Sequence, residues 1–361
     1  MVKPSSTSSS ERSWPSARWP IATLGAIFIV VVAESVLHFV PSRDLYGYGR
    51  GINSYFEVHN HVDDHGSAQI AIVGSSRGRE SFALPTLHRT CNDSLDRAVT
   101  VANYSVAGAR ADIVRQIVRH LLDSRSRPEL IVYTVSPRLL IGGGPFTRGI
   151  AIFTDRPDTL TPLDGQPLRE LTSDISFAAR QLLNDHLLLF RHRHRFRQAA
   201  VDLARGRSYP SPVLGELTEW QTYEPNKTLH DWNIDENYIR RRVEDLHERQ
   251  GRFRFNEYQV REFTATIDAC VRFDVPLVIV EAPLPQVLLR HYPADVRHSL
   301  HMILEAAARH PGVDVVVPDS LGLTFSASEF REISHLNYHG ARKLTEQLAP
   351  ILCARLTRGA G

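Results

Sequence analysis

The chain has 361 residues, enough for one large domain or two small ones. Its hydrophobic and charged fractions, 42% and 23%, are ordinary for a globular protein, and a formal charge of only +2 gives no electrostatic argument for nucleic-acid binding. The three cysteines, Cys91, Cys270 and Cys353, lack the spacing of a metal site and allow at most one disulfide, whose pairing the sequence does not determine.

The N-terminal segment is polar and basic first, and then apolar. Residues 1–20 predict a disordered cytoplasmic tail, and residues 21–40 just reach the roughly 20 residues that a helix needs to cross a bilayer. The preceding basic residues favour a single-pass protein with a cytoplasmic N-terminus and an extracytoplasmic domain. We interpret residues 21–40 as a transmembrane signal anchor. A cleaved signal peptide and a buried core helix are the alternatives.

Beyond a predicted linker at residues 41–67, short apolar runs alternate with helical patterns. The runs predict buried strands at residues 69–73, 98–102, 130–135, 276–280 and 313–317. The helical spacing predicts helices at residues 111–122, 262–273, 296–309 and 341–356. This alternation predicts an α/β domain over residues 68–361, with a doubly wound, mostly parallel sheet of about five strands. Residues 142–256 break the pattern, and we predict a largely helical insertion there.

The first candidate site segment follows the first predicted strand, at residues 74–78 (GSSRG). A sharp turn from a buried strand into a helix can expose the hydroxyl of Ser76 beside free backbone N–H groups that stabilise an oxyanion. The second segment follows the second strand, where Gly108 permits close backbone approach to a ligand. Taken alone, each segment also fits an ordinary turn or helix cap.

The third candidate segment lies near the C-terminus, at residues 332–340 (EISHLNYHG). A carboxylate at Glu332 can orient the ring of His335 through Nδ1, which leaves Nε2 free to take a proton from a serine. His339 competes for this role, but the spacing to the carboxylate favours His335. A loop histidine beside a surface glutamate is the alternative.

Taken together in chain order, these segments resemble the SGNH/GDSL hydrolase superfamily. Its Gly-Asp-Ser block is similar to residues 74–76, its oxyanion-glycine block to residues 103–108, and its Asp-x-x-His block to residues 332–335. The trailing His-Leu-Asn-x-x-Gly of residues 335–340 is similar to the membrane-anchored polysaccharide O-acetylation branch, which includes proteins of alginate acetylation.

The resemblance implies an SGNH hydrolase-like fold and a function. It makes Ser76 the nucleophile and His335 the base, with Glu332 orienting the imidazole and the backbone amides of Ser76 and Gly108 binding the oxyanion. The implied activity is an extracytoplasmic O-acyltransferase or esterase acting on acyl esters, such as acetyl esters, of a cell-surface glycan. An integral-membrane partner would supply the acyl group. Neither a metal nor a cofactor is expected, since the chain has no dinucleotide fingerprint and no P-loop lysine.

Two departures weaken the match, which covers residues 68–139 and 262–356. The family's third block ends in Gly-x-Asn-Asp, whereas residues 134–138 here read TVSPR, so Ser136 would have to replace the asparagine as oxyanion donor. The acid is also a glutamate, Glu332, in place of aspartate. A simple carboxylester hydrolase or lipase is therefore one alternative, and a catalytically weakened glycan-binding or assembly component of a surface-polysaccharide complex is another.

Two arginines flank the predicted site. Arg77 follows the candidate nucleophile directly, and Arg110 lies two residues beyond the candidate oxyanion glycine. They would contact an anionic substrate or pair with a carboxylate such as Glu80.

Overall fold

A computed structural model describes residues 21–37, 58–59, 61–141, 187, 241, 255–291, 293–331 and 334–358. The predicted tail at residues 1–20 lies outside this part of the chain, as does nearly all of the predicted insertion at residues 142–256.

Five strands form one sheet whose neighbouring strands are all parallel. They are β1 (Ile70–Gly74), β2 (Val101–Asn103), β3 (Leu130–Val135), β4 (Leu277–Glu281) and β5 (Val313–Val316). Their order is β2-β1-β3-β4-β5. β1, β2 and β3 are buried throughout, as is usual for parallel strands covered on both faces. The predicted α/β class and five-strand parallel sheet are confirmed.

Most helices of the described residues occupy the connections between strands. The numbered helices are α1 (Ile21–Leu37), α2 (Ser76–Glu80), α3 (Leu84–Leu95), α4 (Ala111–Asp123), α5 (Pro137–Leu140), α6 (Glu257–Arg272), α7 (Gln286–His291), α8 (Ala294–Ala307) and α9 (Tyr338–Arg358). Short 3₁₀ turns lie at Pro318–Leu321 and Ala327–Glu329. α6 begins earlier than predicted because the Asn256 side chain accepts a hydrogen bond from the Tyr258 amide and caps the helix there.

Two hydrophobic cores lie on opposite faces of the sheet, and the alternation of side chains along β1 shows the division. Ala71 and Val73 pack into the core beneath α4, α6 and α8. Ile70 and Ile72 point the other way and pack with α3 and α9. Because successive strand residues face opposite sides, one apolar run serves both cores.

The packed body begins before residue 68. Residues 61–65 are helical, and Val58 and Val62 are 1% and 3% exposed in the core beneath α4. The end of the segment predicted as a linker, residues 41–67, therefore packs onto the domain. Its two buried valines stand among histidines and aspartates, and this polar surrounding hides the helical spacing in the sequence.

A disulfide joins the two helices on one face of the sheet. Cys91 of α3 and Cys353 of α9 are bonded with their Cα atoms 5.2 Å apart, across a sequence separation of 262 residues. Cys270 is a free thiol on α6, and burial raises its pKa to about 12. The bond fixes the pairing that the sequence left open.

α1 covers most of the predicted anchor at residues 21–40. Its large apolar side chains are exposed, with Phe28 and Ile29 both at 68%, which does not fit the alternative of a buried core helix. Across the described ranges, no helix has both the length and the apolar character that crossing a membrane requires.

Candidate active site

The candidate site is a cavity of about 160 Å³ at the carboxyl edge of the sheet. The described residues that line it come from the segments after β1, β2 and β3 and from the loop before α9: Ser75, Ser76, Arg77, Gly108, Ala109, Arg110, Arg138, Leu139, Ile141 and His335. β1 and β3 are neighbours in the sheet, but the chain leaves β1 toward β2 on the other side. Such a reversal of strand order opens a crevice where α/β proteins bind ligands.

Ser76 occupies a tight turn from strand to helix. It is the first residue of α2, and only Ser75 separates it from the end of β1. Ser75 is the N-cap of this helix, and its side chain accepts a hydrogen bond from the Arg77 amide at 3.4 Å. The turn brings the hydroxyl of Ser76 to the cavity wall.

Two glycines allow this turn to lie against the neighbouring strands. A Cβ atom on Gly74 would be 3.0 Å from the carbonyl oxygen of Thr134 in β3. A Cβ atom on Gly78 would be 2.8 Å from Oγ of Ser105, after β2. The distance at Gly78 is shorter than real Cβ contacts and the distance at Gly74 is tighter than most of them, so glycine at both positions lets α2 lie this close to the sheet.

Asn103 holds α2 in place from the end of β2. Its buried side-chain amide donates to the carbonyls of Gly78 and Arg79 at 3.2 and 3.3 Å. Its Oδ1 accepts from the Ser105 amide at 3.1 Å. The asparagine that opens the second predicted site segment therefore positions the helix that carries Ser76.

His335 meets Ser76 across the cavity. Its Nε2 lies 2.8 Å from Oγ of Ser76, a hydrogen bond between residues 259 positions apart in sequence. The histidine sits on a tight loop that is closed by the antiparallel bridge between Phe330 and Leu336. The Arg331 amide also donates to the His335 carbonyl at 2.8 Å. This loop directs the imidazole at the serine.

The Asn-x-x-Gly that follows His335 has a structural role. Asn337 is buried, and its Oδ1 accepts from the amides of His339 and Gly340 at 3.0 and 3.1 Å, which caps the start of α9. Its Nδ2 donates to the Ser328 carbonyl at 2.6 Å. The side chain of His339 is exposed, so the rival histidine is a surface residue of α9.

The predicted acid, Glu332, lies outside the described residues. A different carboxylate links the histidine loop to the serine helix. Glu80 of α2 is 1% exposed, with Oε2 3.6 Å from Nη1 of Arg331 and Oε1 3.5 Å from Nη2 of Arg79. Breaking a buried ion pair leaves an uncompensated charge, so this contact resists separation of the two site elements.

The two further predicted oxyanion donors are placed differently. Gly108 lines the cavity with φ +79°, a backbone conformation that favours glycine. Ser136 is the N-cap residue of α5 and is 2% exposed, but it does not appear among the described residues that line the cavity. The structure therefore brings Ser76, Gly108 and His335 to one cavity, whereas Ser136 is buried and is not among its described lining residues.

The two predicted arginines, Arg77 and Arg110, both line the cavity, and Arg138 joins them from α5. Arg138 is not among the predicted site residues, because residues 134–138 were predicted to supply only an oxyanion donor. The available signal was its position just after β3, at the same edge of the sheet as the other two arginines.

A buried polar network lies beside Arg110. Asp112 accepts from the Gln259 side chain at 2.9 Å and from the Ile113 amide at 2.8 Å, which joins α4 to α6. Burial raises the pKa of the Asp112 carboxyl, and the positive charge of Arg110 opposes this rise. The nearest carboxylate in sequence to Arg110 is thus held by hydrogen bonds from the protein.

Gly340→Ala is expected to lower the free energy of unfolding by about 1–3 kcal/mol, the usual cost of overpacking. Alanine normally stabilises a helix relative to glycine. At this position, however, a Cβ atom would overlap the Glu329 carbonyl oxygen and would lie 2.8 Å from Cδ2 of Leu336. Chemical denaturation measures the change. Gln347→Ala, at an exposed position of the same helix, is the matched control, and equal stability of the two variants would contradict the close packing.

No protein-family model and no curated protein matches this chain. The similarity to a hydrolase superfamily therefore rests on the short segments at residues 74–76, 103–108 and 332–340. The proposal of a function rests on the geometry of the cavity, to which each of these three segments contributes a lining residue.

Proposed function

We propose that this protein is an SGNH-type O-acyltransferase or esterase that uses Ser76 to act on acyl esters, such as acetyl esters, of a cell-surface glycan. The observation that carries the proposal is the 2.8 Å contact between Nε2 of His335 and Oγ of Ser76 at the wall of a cavity. A base within hydrogen-bond reach of a hydroxyl is the arrangement that activates a serine nucleophile.

In the proposed first half-reaction, Nε2 of His335 takes the hydroxyl proton as Oγ of Ser76 bonds to the ester carbonyl carbon. The carbonyl π electrons move to the oxygen, and the backbone amides of Ser76 and Gly108 donate to this oxyanion. Collapse of the tetrahedral intermediate breaks the bond to the leaving alcohol, which takes the proton from His335. The acyl group is then an ester of Ser76.

The second half-reaction reverses these roles with a new hydroxyl. His335 takes a proton from water or from a sugar hydroxyl, and the resulting oxygen attacks the acyl-serine. Collapse returns the proton to Oγ of Ser76. Water gives a free acid and makes the protein an esterase, whereas a sugar hydroxyl gives a new glycan ester and makes it a transferase.

The order of the site segments supports the SGNH assignment. The serine follows β1, the glycine follows β2, and the histidine precedes the last helix, at one edge of a five-strand parallel sheet. In this proposal Glu332 orients the imidazole of His335, as the family's Asp-x-x-His block implies. The branch resemblance also implies an integral-membrane partner that supplies the acyl group.

The proposed location is outside the cytoplasm, with residues 21–40 as the anchor. The Cys91–Cys353 disulfide supports this location because such bonds persist mainly in oxidising compartments. Exposed apolar side chains on α1 are consistent with insertion into lipid.

A second function is favoured by one observation. Ser136, the predicted replacement for the family's oxyanion asparagine, is not among the described residues that line the cavity. Loss of one oxyanion donor typically costs about 10²–10³ in rate. A protein with so weakened a site could serve as a glycan-binding or assembly component of a surface-polysaccharide complex.

An ester-cleavage assay separates these functions. The wild-type protein is expected to release 4-nitrophenol from 4-nitrophenyl acetate faster than a folded Ser76→Ala variant. Equal background rates for the two proteins would favour the binding function. Adding an acceptor oligosaccharide to the same reaction tests transfer, because acetylated acceptor should form in place of part of the acetate.

A further inference from the structure

The cavity beside Ser76 is small, with a volume of about 160 Å³. Pockets for drug-sized ligands measure roughly 300–1,000 Å³, whereas an apolar cavity of about 150 Å³ holds a single benzene molecule. Acetyl and butyryl groups are no larger than benzene. An octanoyl group exceeds this size, and so does a pyranose ring with its hydroxyl groups. The cavity therefore has room for one small group.

Three of the described residues that line the cavity carry apolar side chains: Ala109, Leu139 and Ile141, which we call the apolar wall. Ala109 lies in the segment after β2, whereas Leu139 is in α5 and Ile141 directly follows that helix. Their exposures are only 4%, 1% and 2%, so protein encloses each side chain almost entirely. The apolar wall is the part of the cavity where contact with a hydrocarbon chain is favourable.

The apolar wall is backed by packed structure. Ala109 and Leu139 belong to the core beneath α4, α6 and α8. The Leu139 amide donates to the Ser136 carbonyl at 3.0 Å, and Ile141 forms an antiparallel bridge with Phe255. Because a packed interior admits extra methylene groups only at a cost, the wall resists moving back to accept a longer chain.

The position of the serine determines which part of an ester enters the cavity. In the proposed reaction the carbonyl carbon bonds to Oγ of Ser76, so the acyl chain starts at the Ser76–His335 pair on the cavity wall. The sugar alcohol is larger than the cavity and lies outside it. The acyl chain is therefore the part of the substrate that contacts the apolar wall.

We propose that the apolar wall restricts this protein to esters of short acyl groups, from acetyl to butyryl, and excludes long-chain fatty acyl esters. This inference rests on the proposed function, because it takes Ser76 as the point of acyl attachment. It makes Ala109, Leu139 and Ile141 specificity-determining residues. It also separates the protein from the lipase alternative, whose substrates carry long acyl chains.

A series of 4-nitrophenyl esters tests the inference. The full-length wild-type protein should cleave the acetate and the butyrate with similar kcat/KM. The kcat/KM of the octanoate should be about 10–200-fold lower, the range for a methylene group that an apolar pocket does not fit. A site open on this side would give the opposite order, since burial of each further methylene group favours binding. Octanoate cleavage as fast as acetate cleavage, and dependent on Ser76, would overturn the inference and leave the serine esterase intact.

Two leucine variants assign the selectivity to the apolar wall. Leu139→Ala enlarges the cavity and should raise the octanoate-to-acetate ratio of kcat/KM by about 10-fold. Leu140→Ala is the matched control, because Leu140 is the neighbouring, fully buried leucine of α5 and is not among the described lining residues. This control should leave the ratio unchanged. Equal ratios in the two variants would overturn the inference.

Ala109→Val tests the wall from the segment after β2 and keeps the test open if the leucine variants do not fold. The added methyl groups narrow the cavity, so the butyrate-to-acetate ratio of kcat/KM should fall by about 10-fold. An unchanged ratio in the folded variant would overturn the inference.

Binding to a catalytically silent protein separates this inference from the proposed function. By calorimetry, the Ser76→Ala variant should bind 4-nitrophenyl butyrate about 10-fold more tightly than the octanoate, and adding Leu139→Ala should remove the difference. This binding pattern without ester cleavage by the wild-type protein would support the short-acyl site and count against the enzyme. Octanoate binding as tight as butyrate binding would overturn the inference even if the wild-type protein cleaves both esters.

Discussion

His335→Ala is expected to lower the rate constant of ester cleavage by roughly 10⁴–10⁶-fold, the range found when one member of a catalytic triad is removed. The variant loses the only group within hydrogen-bond reach of Oγ of Ser76 in the described structure, so the hydroxyl must attack without a base. Steady-state kinetics with 4-nitrophenyl acetate measure the effect.

Two further variants sharpen this prediction. Ser76→Ala/His335→Ala should be no slower than either single variant, because the two side chains act as one unit. His339→Ala, four residues further along at an exposed position, should retain the wild-type rate. A large loss of rate in His339→Ala together with a small loss in His335→Ala would mean that the base is His339 and would contradict the prediction.

Replacement of both Cys91 and Cys353 by alanine is expected to lower the free energy of unfolding by about 2–5 kcal/mol. The bond closes a loop of 262 residues between α3 and α9, so its removal frees a large part of the unfolded chain. The two helices pack over the core that contains Leu344 and Leu348, and their contact should also loosen. Urea denaturation of the purified protein measures the change.

A reductant provides the internal control for this prediction. Dithiothreitol should lower the unfolding midpoint of the wild-type protein toward that of the double alanine variant and should leave the variant unaffected. If the wild-type protein and the double alanine variant have the same unfolding midpoint in the absence of reductant, the Cys91–Cys353 bond does not form in the native protein. The proposed extracytoplasmic location would then lose its main structural support.

The sheet could be predicted because buried parallel strands leave a direct mark on the sequence. β3 occupies the predicted residues, and β1 and β4 are displaced by one residue. α3 escaped prediction because its buried face consists of only Leu84, Leu87 and Cys91, separated by polar residues. The burial of Val58 and Val62 was not predicted for a similar reason. The local sequence does not show which side chains will pack against a sheet formed by distant residues.

The site was predictable only in part, for a physical reason. Ser76, Gly108 and His335 follow or precede regular elements at one sheet edge, and such placement can be read from the chain order. The roles of Glu80 and Asn103 could not be read, because they depend on contacts of the serine helix with a loop and a strand that are distant in sequence. Arg138 carried a positional signal, because it follows β3 at the same sheet edge.

The most direct test of the proposed chemistry is intact-mass spectrometry of the protein after brief exposure to 4-nitrophenyl acetate. The account predicts one added acetyl group, located at Ser76 by peptide sequencing, in the wild-type protein and none in Ser76→Ala. In His335→Ala the same adduct should form far more slowly. Acetylation at other residues with Ser76 unmodified in the folded wild-type protein would contradict the account.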